Sequence, residues 1–409
     1  MFEYDLSEKL KNLRDMIHWF AENEIRPLSI KSDIEHGVPE EFLMKMVNLG
    51  LSGGGLPKEF GGDDSLSVAD KNKSKKESIF NRLAAITMEE LAWGDPAILL
   101  SIPGPGLGAP PVMIMGTKEQ KKLAFDLFKD KKKPHWGAYA LTEPGFGSDV
   151  SALSTSAIKD GDYYILNGTK IFITNGAKAD WNIVFATVDK SQGRAGHRAF
   201  LVFKDTPGFR TGKIEDKMGL RAAETAELIL DDCRLHKDYL LGGEEYYEKK
   251  VKGGGFKGAM KTFDQTRPLV AAMAIGIARA AYEQTNKWIK DNFLIDRPIL
   301  RYQRIKEMLI TFEKQIDTAR LLVWKAAWMG DLGIPNTKEA SMSKAYAANV
   351  AQFVTSNAME LMGTHGMLRE NLVEKLYRDQ KVFDIFEGTG QVQRIVIAKR
   401  LFTKLYNYK

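Results

Sequence analysis

The chain has almost no cysteine: Cys233 is the only one in 409 residues. An internal disulfide and a multi-thiolate metal site are thereby excluded. Histidine is scarce too, six in all, and none falls in an HExxH or similar ligand pair at helical spacing, so no metal site is expected. The longest apolar runs, such as "AILLSI" near 97–102, fall far short of the ~20 residues that cross a bilayer. The opening "MFEYDLSEKLKNLRDMIHWF" mixes acids and bases without an apolar core. It therefore reads neither as a secretory signal nor, lacking an Arg-rich and acid-poor bias, as a transit peptide. A cytoplasmic protein without membrane association is the expectation. Missing as well are a GxxxxGK[ST] loop, a GxGxxG between strand and helix, a Ser within GxSxG and a Cys–His pair. A dinucleotide, if bound, is not held in the Rossmann manner.

What remains is an ordinary globular composition, 44% hydrophobic and 27% charged, with room for two or three domains. The net charge of +6 is modest, and the lysines concentrate in "KNKSKK" (71–76) and "KDKKK" (129–133). Neither run interleaves aromatics, so both read as solvated loops, and no nucleic-acid partner is expected.

Three regions differ in period. Residues 1–135 read as helical: Leu10, Leu13, Ile17 and Phe20 recur every three or four positions, and "VPEEFLMKMVNLGL" and "IFNRLAAITMEELAWG" repeat the pattern. Residues 136–245 change to short runs of Tyr, Ile, Phe and Thr punctuated by Asp-Gly or Asn-Gly at 160–161, 167–168 and 175–176. Such pairs supply the positive φ of two-residue hairpin turns, which predicts antiparallel sheet as a barrel or sandwich. Residues 246–409 return to long helices rich in small residues, including one with Met342, Ala345, Phe353, Val354, Ala358 and Leu361 at helical intervals before Gly363. Four such helices make a bundle. The expected fold is α+β: a helical N-terminal domain, a central β domain and a C-terminal four-helix bundle.

Two segments carry candidate chemistry. In "FDIFEGTGQVQR" (383–394) a lone acid, Glu387, stands between a bulky apolar pair and glycine. It is either a loop acid ahead of the helix "QVQRIVIAKRLF" or a carboxylate whose lost hydration raises its pKa and makes it a usable base. In "YALTEPGFGSDVSAL" (139–153) a strand runs into glycines beside hydroxyls. That is either a tight turn or a set of exposed N–H and O–H groups suited to a flat polar ligand such as an isoalloxazine.

The segments "YALTEPGFGSD", "KIFITNGAKADW", "FDQTRPLVAA" and "YRDQKVFDIFEGTGQVQR", taken together and in this order, resemble the acyl-CoA dehydrogenase family from about residue 5 to 405. The resemblance implies an FAD enzyme that desaturates an acyl-CoA thioester, Glu387 taking the α-proton and flavin N5 the β-hydride. Hydrogen bonds to the thioester oxygen would stabilise the enolate, roughly 3–4 kcal/mol per preorganised donor. It further implies that Tyr139, Leu141, Thr142, Gly147 and Ser148 meet the flavin, with Phe172 and Thr174 flanking the ring. Gln303, Gly363, Thr389 and Gln391 would touch other parts of FAD. Ser148, Asp264, Arg267 and Gly388 would meet the CoA thioester. A homotetramer built as a pair of dimers, and electron transfer flavoprotein as partner, are also implied. One branch of the family carries its base just before the Arg of the "TRP" helix; here that position is Thr266.

The resemblance is imperfect. Without a gap, Asn292 falls where the family has an Arg reaching a neighbour's FAD pyrophosphate, and Ile295-Asp296 where it has Phe-Gly. The family's "QILGG" reads "ELMGT" (360–364). Arg297 or Arg301 would then have to compensate, and an insertion spans roughly 63–80. The prolines among small residues in "AWGDPAILLSIPGPGLGAPP" predict an acyl pocket fit for a branched, alicyclic or aromatic group. An acyl-CoA oxidase, a non-redox thioester enzyme on the same fold and a non-catalytic scaffold are the competing readings.

Overall fold

The computed structural model describes residues 6–53, 56–60, 78–249, 254–292 and 300–406. Seven helices come first: α1 (Glu8–Phe20), α2 (Ser29–Glu35), α3 (Glu40–Asn48), α4 (Phe80–Gly94), α5 (Pro96–Ser101), α6 (Ala109–Met115) and α7 (Lys118–Phe125). Their starts follow from side chains that satisfy orphan N–H groups. The Ser7 hydroxyl accepts from Leu10 N, Asp95 caps both Ala97 N and Ile98 N, and Thr117 with Gln120 forms a reciprocal capping box. Prolines stand at the first turns of α5 and α6, where a missing N–H costs nothing.

The middle of the chain is one curled sheet of β1 (Gly137–Ala140), β2 (Ser156–Asp160), β3 (Tyr163–Thr174), β4 (Trp181–Thr187), β5 (His197–Phe203), β6 (Phe209–Ile214) and β7 (Thr225–His236). The order is β1-β4-β2-β3-β7-β6, with β5 on β4. Most pairings are antiparallel, as expected, but β1 and, at Ser156–Thr187, β2 run parallel to β4. The three Gly dipeptides also part company. Asp160–Gly161 does close the β2–β3 hairpin, with Asp160 opposite Tyr163. Asn167–Gly168 is no turn; it lies inside β3 at a register shift against β7. Gly168 has φ 152°, and a Cβ there would sit 2.6 Å from Thr155 Oγ1, so glycine admits the loop before β2 against the strand. Asn175–Gly176 does turn the chain, Gly176 N donating to Ile173 O, but β3 and β4 do not pair as a hairpin.

After α8 (Gly243–Lys249) come α9 (Gly254–Asn292), α10 (Leu300–Asp331), α11 (Thr337–Met362), α12 (Leu372–Gln380) and α13 (Gly390–Tyr406). Helix α11 packs against α9, α10 and α13, giving the four-helix arrangement, while α4 lies against α9 and α10. The shared core is alanine-rich, with Ala274, Ala278, Ala281, Ala347, Ala351 and Ala358 all buried. Small side chains let the backbones approach closely at native packing density.

Buried charge ties the N-terminal helices to the C-terminal ones. Arg279 donates to Glu89 and Glu90 at 2.8 and 2.7 Å, and Arg320 donates to Glu89 at 2.8 Å. Lys375 bridges Asp95 and Asp379 at 2.6 and 2.5 Å, with all three side chains essentially inaccessible. No helix among the described residues is long and apolar enough to cross a membrane, and no group of three metal-ligating side chains occurs among them.

Candidate active site

Glu387 occupies the short connection between the single helical turn Lys381–Asp384 and α13. Its backbone is in the left-handed region, φ 56°, and Gly388 follows at φ 89°. A Glu rarely adopts this conformation, which costs ~1–3 kcal/mol and persists where the surroundings impose it. The carboxylate is half-buried, and loss of hydration raises its pKa against the opposing pull of Thr266, Arg267 and Lys344. Thr266 Oγ1 donates to Glu387 Oε2 at 2.8 Å.

Helix α9 and strand β1 both bring side chains to this carboxylate. Helix α9 supplies Thr266 and Arg267. Arg267 is buried and donates to Asp264 Oδ1 at 3.1 Å, while Asp264 Oδ2 accepts from Thr337 at 2.8 Å. Strand β1 supplies Tyr139, whose ring packs edge-on against Phe263 at 5.9 Å and against Phe185. Burial and the Glu387 charge raise the Tyr139 phenol well above its ordinary value, so it stays neutral. Its hydroxyl is buried with no protein partner among the described residues. An orphan of that kind beside a carboxylate awaits a ligand atom.

The segment after β1 is pinned to β3. Ile171 N donates to Thr142 O at 2.9 Å, which sets Thr142 beside Phe172. Phe172 has φ 57° at the second register shift of β3, and 60% of its surface is bare. A strained backbone that holds an aromatic face toward solvent is an expensive arrangement with no packing return. Leu141 is buried, Thr142 and Thr174 are half-buried, and Gly147 and Ser148 are exposed.

The glutamate turn itself is closely held. Gln393 Nε2 donates to Glu387 O at 3.2 Å and to Gly388 O at 2.9 Å. A Cβ on Gly388 would lie 2.6 Å from that nitrogen. Thr389 Oγ1 accepts from Val392 N at 3.3 Å, and Gln391 is exposed on the first turn of α13.

Family models for the N-terminal, middle and C-terminal domains of acyl-CoA dehydrogenase match residues 7–125, 138–233 and 253–402. The chain belongs to the acyl-CoA dehydrogenase family. It is 36% identical over 405 residues to the short-chain specific acyl-CoA dehydrogenase of Clostridium acetobutylicum, covering 98% of this chain and 100% of that protein. The 3-(aryl)acrylate reductase of Clostridium sporogenes is 39% identical over 398 residues, 97% of this chain and 99% of that one. The solved structure described as the electron transferring flavoprotein of Acidaminococcus fermentans, which concerns flavin-based electron bifurcation, matches with a TM-score of 0.85. Its identity is 37%, and the match covers 98% of this chain and 99% of that one. The protein is thus an oxidoreductase of a family of flavoproteins.

The bare Phe172 face, the orphaned Tyr139 hydroxyl and the open backbone at Gly145 and Gly147 fit a flat, hydrogen-bonding cofactor such as FAD. Other residues named by the resemblance stand on the helices of the bundle. Gln303 Nε2 donates to Glu307 Oε1 at 3.2 Å along α10. Gly363 ends α11 and lines a cavity of about 370 Å³ with Met359, Glu360, Met367 and Tyr377. Asn292 is exposed and donates back to Trp288 O at 2.8 Å, within its own helix. Arg297, the side chain of Arg301 and most of the insertion, residues 63–77, lie outside the described residues.

Two contacts near the site were not anticipated from the sequence. Lys344 Nζ donates to Gly388 O at 2.8 Å, and a lysine inside the alanine-rich run "SMSKAYAANV" was the available signal. Lys170 pairs with Glu143 at 2.7 Å, both wholly buried. Here the signal was a charge in each of two motifs already singled out.

Proposed function

We propose that this protein interconverts a short acyl-CoA thioester and its α,β-unsaturated form, with Glu387 exchanging the α-proton. The observation that carries this reading is the Glu387 carboxylate, dehydrated and oriented by Thr266 beside the neutral Tyr139. A raised pKa strengthens it as a base, while the Thr266 bond opposes that rise and aims the carboxylate. Arg267 and Asp264, with Ser148 and Gly388, are proposed to meet the CoA thioester. FAD, held by the 139–148 segment and Phe172, supplies the two-electron acceptor when bound.

The substrate class rests on the relatives. Pro96 and Pro110 stand at the starts of α5 and α6, a structural role that says nothing of the acyl group. The short-chain enzyme of C. acetobutylicum favours a small acyl group, and the C. sporogenes reductase favours operation toward the saturated product. In that direction the protonated Glu387 returns its proton to the α-carbon. Electron transfer flavoprotein is proposed as partner on the strength of the A. fermentans match.

The purified protein is expected to be yellow, and short acyl-CoAs added anaerobically should bleach it. Long-chain and aryl-propanoyl thioesters should act more slowly. A colourless protein, or a flavin that no thioester reduces, overturns the reading. Prompt reoxidation by air alone would instead identify an acyl-CoA oxidase.

A homotetramer is proposed as well, because Ile395, Leu401 and Phe402 of α13 leave large apolar surface in water, as an assembly face would. Light scattering should give four chains per particle; a flavin-loaded monomer would exclude it.

A further inference from the structure

Lys344 lies on α11 with 1% of its surface exposed. An ammonium in such surroundings has given up its hydration, so its remaining contacts must hold it. Among the described residues, its one hydrogen bond to another element runs from Nζ to Gly388 O at 2.8 Å, on the turn where Glu387 and Gly388 both have positive φ. Gln393, from α13, holds the same carbonyl and that of Glu387. Two side chains from two helices therefore clamp a backbone conformation that a Glu would not keep on its own.

We propose that Lys344 is a positioning residue, whose ammonium fixes the Glu387–Gly388 turn so that the carboxylate faces the substrate α-carbon, and whose charge stands beside that carboxylate. This rests on Glu387 being the base. Other charged or titratable groups face the same place: Arg267 from α9, Tyr139 from β1, Asp384 from the preceding turn and Arg394 from α13. Arg267 already has Asp264 as its partner, and Asp384 opposes Arg394 in sign. Burial brings Lys344 down to about 8, against the pull of Asp384 and Glu387, so it is mostly charged at neutral pH. A cation there favours the ionised Glu387.

The test uses the holoenzyme with Lys344→Met and Lys344→Gln, and Glu387→Gln as reference. With Lys344→Met, kcat should fall about ten- to a hundredfold while FAD content stays normal. The acid limb of the kcat/KM profile should move to higher pH, since the base loses its neighbouring cation. Lys344→Gln can still donate to Gly388 O, so it should shift the acid limb likewise while keeping more of kcat. In flavin-free protein, hydrogen exchange over residues 383–394 should quicken, more for the Met variant. An unmoved acid limb in both variants, or FAD loss in step with activity, overturns the proposal. Should the Met variant fail to fold, the acid limb of the Gln variant decides alone. Near-normal turnover in Glu387→Gln would remove the base assignment itself. An inactive Glu387→Gln beside a wild-type acid limb in both lysine variants would remove only the role of Lys344.

Discussion

Replacing Glu387 by Gln should abolish turnover by several orders of magnitude while the flavin stays bound and the fold stays intact. The amide has nearly the shape of the carboxylate and can still accept from Thr266 Oγ1, which lies 2.8 Å from Oε2. What it lacks is basicity. The α-hydrogen of a thioester is a very weak acid, so without a positioned base the enolate does not form at a useful rate. Stopped-flow mixing with a short acyl-CoA should show binding without bleaching. Persistent bleaching at near-normal rate would place the base elsewhere, and Thr266, the family's other position, cannot serve at neutral pH.

The second large effect concerns stability and cofactor retention together. Glu143→Gln should lower unfolding stability by about 3–5 kcal/mol, because the Lys170 ammonium is then buried beside a neutral group. Both side chains are inaccessible, at 0% and 1% exposure. Glu143 also accepts from Ser154 N and Oγ at 2.6 Å and from Thr155 N at 3.0 Å. Lys170 donates besides to Leu141 O at 3.2 Å. The pair thus staples both ends of the 141–155 loop to β3, two residues ahead of Phe172, and loosening it should speed FAD loss on dilution. Lys170→Met combined with Glu143→Gln should recover much of the stability yet still release flavin faster, since the staple is gone. A single variant that matches wild type in urea midpoint would contradict the assignment.

The pH dependence has a definite sign. Lys170 and the loop donors hold Glu143 down to about 2, below its ordinary 4.5. Its contribution is therefore complete above about pH 4.5 and is lost as the pH falls toward 2. The loop should stay fastened through mild acidification.

The sequence disclosed the order of helices, sheet and helices because each has its own hydrophobic period. It pointed to Glu387 as a candidate base through a run of motifs rather than through local chemistry, since a lone acid before a helix looks like a cap. Asn167–Gly168 misled, because a two-residue signal cannot tell a turn from a bulge. That choice is made by Thr155 pressing on Gly168 and by β7 continuing alongside β3, both distant in the chain. Lys344 stayed hidden for the same reason: its acceptor, Gly388 O, is 44 residues away. Phe172 was placed by resemblance, yet its bare face and positive φ are properties of the folded sheet alone.

The carboxylates of α4 have a bearing on how the molecule is made. Glu89 and Glu90 find their arginine partner Arg279 190 and 189 residues downstream, and Asp95 waits for Lys375. While the chain is being synthesised, the first helices therefore hold acids that cannot be buried without their counter-ions. They should close only once the partner helices have left the ribosome. A chain interrupted after the sheet keeps only His18 for Glu90 and the Ser29 hydroxyl with two backbone N–H groups for Asp95, so incomplete products should offer a looser N-terminal end to proteolysis. Closure of the N-terminal helices is thereby tied to charges supplied by the last third of the chain.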